Sequence, residues 1–192
     1  MAAKANDSDF LGQYRGADSD GRLDIMMDNF ATFPKLIRKL EKKIQYKIKA
    51  EREYQRSHSR GELGVRVQSS KLSDTTAEEA IANVTLEEAF ATGKVDKGLL
   101  KGIDNAAEYE ADIRIINVMR MDFELLEEII EDLERDDSRI IKKYLHECKF
   151  YREIAEEEDC SYDSIKRRIH RVRGEIREEI LECLEMNCRE VV

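Results

Sequence analysis

Few side chains in this chain have the type and spacing to make or break bonds. The cysteines are Cys148, Cys160, Cys183 and Cys188, and the histidines are His58, His146 and His170. His146, Cys148, Cys160 and His170 form a conceivable zinc set, but no two cysteines make a C-x-x-C pair and the spacing fits no common zinc pattern, so free thiols are expected. Asp18-Ser19-Asp20-Gly21 glances at a calcium loop. With Gly21 as the turn glycine, the first and the bidentate ligand positions fall on Gly16 and Met27, neither of which can coordinate the ion. No G-x-S-x-G, phosphate-binding P-loop, H-E-x-x-H or dinucleotide turn occurs. The many carboxylates fall on helical faces, where solvation is the ordinary role. The expectation is a protein that is not an enzyme, with no catalytic residue, cofactor or metal.

What remains is the chemistry of charge at short range. Lys166-Arg167-Arg168-Ile169-His170-Arg171-Val172-Arg173 is a basic run in a chain whose net charge is -9. Three predicted elements position it. A helix starts at Asp136, Asp137 or Ser138 and runs to Cys148; a brief helix spans Tyr151 to Glu158; after a tight turn at Asp159-Cys160, Ser161 caps a long helix with Ile165, Ile169, Val172, Ile176, Ile180 and Leu184 on its apolar side. Ala155 is small enough for a close crossing, and Ile154 and Ile165 can fill the wedge between two such helices. The exposed side of the long helix would present Tyr162, Asp163, Ser164, Lys166, Arg167, His170 and Arg171. Such a set can meet base edges from its first turn and phosphates further along. Candidate DNA-binding residues are therefore Ser161, Tyr162, Asp163, Ser164, Lys166, Arg167, Arg168, His170 and Arg171, with Arg168 the one most easily drawn into internal pairing. Past Gly174 the helix turns acidic, so DNA contact should stop near Arg173 and the extension should pack on the protein or on a second copy.

The stretch from Leu133 to about Leu184, about a quarter of the chain, resembles region 4 of the sigma-70 factors, a promoter-reading helix-turn-helix. The likeness rests on Asp137-Ser138-Arg139-Ile140-Ile141, Tyr144-Leu145, Glu153-Ile154-Ala155-Glu156 and Ser161 with Ile165 to Arg171. Upstream, Val67-Gln68-Ser69-Ser70 and Ser73 to Ala80 are similar to the middle of phage transcriptional activators of the ArpU/RinA type, which also end in such a motif. Three residues depart from the sigma pattern: Glu158 stands where a Leu is usually buried, Asp159 where a Gly makes the turn, and Cys160 where a small aliphatic residue sits. Since an unpaired buried carboxylate is costly, either Glu158 points to solvent or the wedge is shallower.

The elements around this region read as helices. One proline, nine glycines and no tryptophan, with 39% charged residues, argue for an all-α protein and against a sandwich or barrel. Residues 1–29 lack periodicity and are predicted to be a flexible arm, dispensable to the fold. Residues 30–104 hold a basic helix from Phe33 to about Tyr54, a polar connector over 57–75 with a short extended piece at Val65 and Val67, and a short helix from Asp74 or Thr75 to Phe90. Residues 105–135 form a long acidic helix whose Ile116, Met119, Phe123, Leu126, Ile130 and Leu133 step 3, 4, 3, 4, 3, with Ile115, Val118, Leu125 and Ile129 widening the seam. Residues 136–188 are the helix-turn-helix domain. Residues 35–56 carry nine Lys/Arg against three Glu, and 104–137 thirteen Asp/Glu against three Arg, so the basic helix is expected to face either phosphate or an acidic helix, the one at 105–135 being its natural partner within the chain or between chains.

The mean hydropathy of -0.63 leaves no apolar run long enough to cross a membrane, and Met1 to Ser8 lack a signal-peptide core, so a cytoplasmic location is expected. The resemblance implies a phage or prophage transcription regulator whose partners are double-stranded DNA, RNA polymerase and a second copy in a homodimer. A DNA-packaging or assembly oligomer using the same motif, and a helical adaptor facing an acidic partner, are alternatives. So is a complete sigma factor, which the lack of Trp for catching flipped bases disfavours.

Overall fold

The computed structural model describes residues 7–59, 75–96 and 98–189. Residues 1–6, and the connector over 60–74 with Val65, Val67 and the first half of the activator-like stretch, lie outside the described residues. Those described form helices and no strand: α1 (Asp7–Gly16), α2 (Ser19–Asp28), a 3-10 turn (Phe30–Thr32), α3 (Phe33–Ser59), α4 (Thr75–Thr92), α5 (Ala106–Asp132), α6 (Arg135–Leu145), α7 (Tyr151–Glu157) and α8 (Tyr162–Arg189). The protein is all-α, and among the described residues no helix is long and apolar enough to cross a membrane. The chain divides into two compact units, one of residues 1–37 with 118–192, the other of residues 38–117.

In the first unit the described part of the predicted flexible arm is two helices. Phe10, Leu11, Tyr14, Leu23, Met26 and Met27 are all buried. Local propensity is weak here, with Gly12, Gly16 and Gly21 in the helices, but the Asp18 carboxylate caps α2 by accepting from the Gly21 N–H at 2.9 Å, and burial of the aromatic and methionine side chains supplies the rest. Phe30 and Phe33 pack against Phe123 of α5, each with ring centroids 5.1 Å apart. Under them lies a buried polar group: the Tyr14 hydroxyl donates to Asp122 at 2.8 Å, and Arg22 lies 3.7 Å from the same carboxylate with its guanidinium over the Tyr14 ring.

α8 has every residue of its predicted apolar row buried, from Ile165 to Leu184. Its first half packs against α6 and α7, and α2 lies along its acidic extension. There Arg177 donates to Asp20 at 2.9 Å and to Asp24. The extension thus packs on the protein's own N-terminal helices.

The second unit contains α3 from Arg38, α4, and α5 as far as Asn117. Leu40, Ile44 and Ile48 of α3 and Ile113, Ile115 and Ile116 of α5 are buried. The polar links from α3 run through an acid: Glu51 accepts from the Asp104 N–H at 2.7 Å and from the Tyr109 hydroxyl at 3.1 Å. The Arg52 guanidinium donates to the Leu99 carbonyl. Asn117 donates to the Ala91 carbonyl at 2.9 Å and lies against Gly93, whose positive φ of 69° ends α4. Charge balance predicts that the basic face of α3 meets the acidic helix; instead Arg38, Lys39, Lys42, Lys47 and Lys49 are exposed. The apolar row takes the inward side, which leaves the cations on the outward one.

Candidate nucleic-acid interface

The candidate site lies wholly in the first unit, on α8 and the turn before it. α7 begins where the Glu153 carboxylate accepts from the Phe150 N–H at 2.7 Å, and Glu158 caps its C-terminal end. Asp159 then takes a left-handed conformation, φ 51°, which lets the Cys160 N–H return to the Ala155 carbonyl at 3.0 Å. Asp is among the few residues other than glycine that tolerate this region. Ser161 starts α8: its hydroxyl accepts from the Ser164 N–H at 3.2 Å. Ile154, Ala155 and Ile165 are buried where the two helices meet.

That arrangement exposes Ser161, Tyr162, Asp163, Ser164, Lys166, Arg167, His170 and Arg171 together, while Ile165, Ile169 and Val172 face inward. Arg167 Nε donates to the Asp163 carbonyl at 3.2 Å, within its own helix. Among the described residues, neither Lys166 nor Arg167 is paired with a carboxylate.

The other two cations have partners. Asp137 of α6, its side chain only 3% exposed, receives Arg168 Nε on one oxygen and Arg171 Nη2 on the other at 2.7 Å. Arg171 also reaches Glu175 at 2.6 Å. Burial pushes the Asp137 carboxyl up, but the hydrogen bonds and charges of the two guanidinium groups outweigh it and hold the group below its ordinary range. Arg171, a predicted phosphate contact, is therefore occupied internally beside Arg168, because α6 brings a buried acid beneath both. The basic surface left open is shorter than the sequence implies.

Glu158 does not point freely to solvent. Its side chain is 11% exposed and bridges back to α6, accepting from Arg139 Nη2 at 2.7 Å and Nε at 3.2 Å and from Lys143 Nζ at 2.7 Å. Those hydrogen bonds, with Arg139 foremost, hold the carboxyl down at about 2. Lys143 Nζ also reaches Glu157 at 2.7 Å, and Lys149 joins Glu157 to Glu147. An ionic clasp thus ties the end of α7 to α6.

Sequence reasoning also missed a row of tyrosines joining the three helices. Tyr144 of α6 stacks on Tyr151 of α7 with centroids 5.2 Å apart, and Tyr151 meets the edge of Tyr162 on α8 at 6.1 Å. Burial, then a hydrogen bond with Tyr144, pushes the Tyr151 hydroxyl up to about 12, so it stays protonated. The three sit on separate helices, so no single helical period links them, and only their common aromatic character hinted at the row. Tyr162 is thus steadied from behind while remaining exposed.

Comparison with known protein families, with curated proteins and with solved structures gives no match for this chain.

Proposed function

We propose that this protein is a sequence-specific, double-stranded DNA-binding transcription regulator of phage or prophage type, which enters the major groove with the first turns of α8 as a sigma region 4-like helix-turn-helix. One observation carries the reading: a capped, solvent-facing helix start presents hydroxyl, carboxylate and cationic groups on consecutive turns, with Lys166 and Arg167 not neutralised from within. Polar groups of this kind in a first turn match the donor and acceptor pattern of base edges, and the cations beyond match phosphates. Ser161, Tyr162, Asp163, Ser164 and Arg167 would read bases. Lys166, Arg167 and His170 would meet the backbone, with Arg168 and Arg171 stiffening the helix from Asp137. RNA polymerase and a second copy of the chain are the further partners of this reading.

The test is duplex binding as a function of salt, after selection of preferred sequences from a random pool. Lys166→Ala with Arg167→Ala is expected to weaken binding to the selected site. The slope of log K against log salt should become shallower by up to ~1.8, at ~0.9 for each phosphate no longer neutralised. A double variant with wild-type affinity and slope on that site overturns the assignment.

A further inference from the structure

The outward side of α3 carries a second row of uncompensated charge. Arg38, Lys42, Tyr46 and Lys49 recur at steps of four, four and three residues, which places them on one face, opposite the buried Leu40, Ile44 and Ile48. All four are exposed, Tyr46 at 75%; the small Ala50 lies one turn past Tyr46, and Lys39 lies beside the row. Among the described residues Arg38, Lys42 and Lys49 have no acidic partner. The row spans about 16 Å at 1.5 Å per residue and ends at Glu53.

We infer that this face of α3 is a nucleic-acid backbone-binding surface, separate from the candidate site on α8, which grips the phosphates of duplex DNA without reading sequence. Protein partners are the poorer match. A helix-helix or protein-protein seam needs an apolar centre with charges at its rim, and here charges hold the centre. Phosphate binding needs only cations and hydroxyl donors, which Arg38, Lys42, Lys49 and the Tyr46 hydroxyl supply. The buried apolar row of α3 is already used in its own unit, which leaves its exposed side for a partner.

The experiment uses the full chain, a duplex of random sequence and polyglutamate as a protein-like polyanion. Arg38, Lys42 and Lys49 are changed together to Gln, which keeps the helix and removes the charge. The triple variant should bind every duplex more weakly, with the salt slope shallower by up to ~2.7 at ~0.9 per phosphate released. An unchanged melting curve separates this from misfolding. Wild-type duplex affinity and slope in the triple variant overturn the inference, as does a loss confined to polyglutamate, which would assign the face to an acidic protein. Running the Lys166/Arg167 double variant alongside keeps the two surfaces distinct. If only the triple variant loses duplex binding, the α8 assignment fails and this one stands. If only the double variant does, the reverse holds. Failure of the wild-type chain to bind any duplex at low salt removes both.

Discussion

Glu158→Gln isolates the ionic clasp between α6 and the end of α7. The substitution keeps shape and one acceptor but removes the charge that Arg139 and Lys143 were holding. The gap between a folded value of about 2 and the ordinary 4.5 corresponds to about 3 kcal/mol if nothing screened the charges. Arg139 is 47% exposed and its share is reduced by solvent, whereas Lys143 is largely covered, so about 2 kcal/mol is the expected loss at pH 7. The folded value lies below the unfolded one. The stabilisation is therefore fully present above about pH 4.5 and disappears as pH falls toward 2. Urea unfolding of both proteins at several pH values between 2 and 7 reads this directly: the two stability curves should stand apart at neutral pH and converge near pH 2. A constant gap across that range, or a gap under about 0.5 kcal/mol at pH 7, would refute the argument that charge pairing seats this glutamate.

Asp137→Asn leaves two guanidinium groups without their anion. Because both are partly in water, the expected loss is about 1–3 kcal/mol by urea unfolding, smaller than for a fully enclosed pair. The same variant should shed part of the wild-type decline in stability below about pH 4, since the Asp137 carboxyl sits below its ordinary range and its contribution is lost only as pH falls through that value. Tyr14→Phe removes a donor from the fully buried Asp122 and should cost about 1–3 kcal/mol, which the same unfolding measurement checks.

Periodicity carried most of the architecture. Ile165 through Leu184 on α8 and Ile116 through Ile130 on α5 are buried as their spacing predicts, because a repeat of three and four residues over several turns has few other uses. The turn before α8 was legible too, from Asp159 and the Ser161 cap. Two kinds of feature were not. α1 and α2 escaped because glycines and acids interrupt Phe10, Tyr14, Leu23 and Met26, so no stripe stands out, and tertiary burial overrides the weak local signal. The partners of Asp137 and Glu158 escaped because those pairs join residues 31 and 34, and 15 and 19, positions apart, across helices whose placement no local rule supplies. That is why Arg171 could be named as a DNA-facing cation but not recognised as already engaged. The outward cations of α3 were visible as a count, but which way they faced depended on which side the unit buried.

The grip of α2 on Arg177 makes α8 a lever. Arg177 lies eleven residues past Lys166, about 17 Å along one continuous rod, so a tilt of about 10° at the gripped end would carry the first turns sideways by about 3 Å, the length of a hydrogen bond. The position of the exposed first turns is therefore set from both ends, by α6 and α7 near the tip and by α2 along the extension.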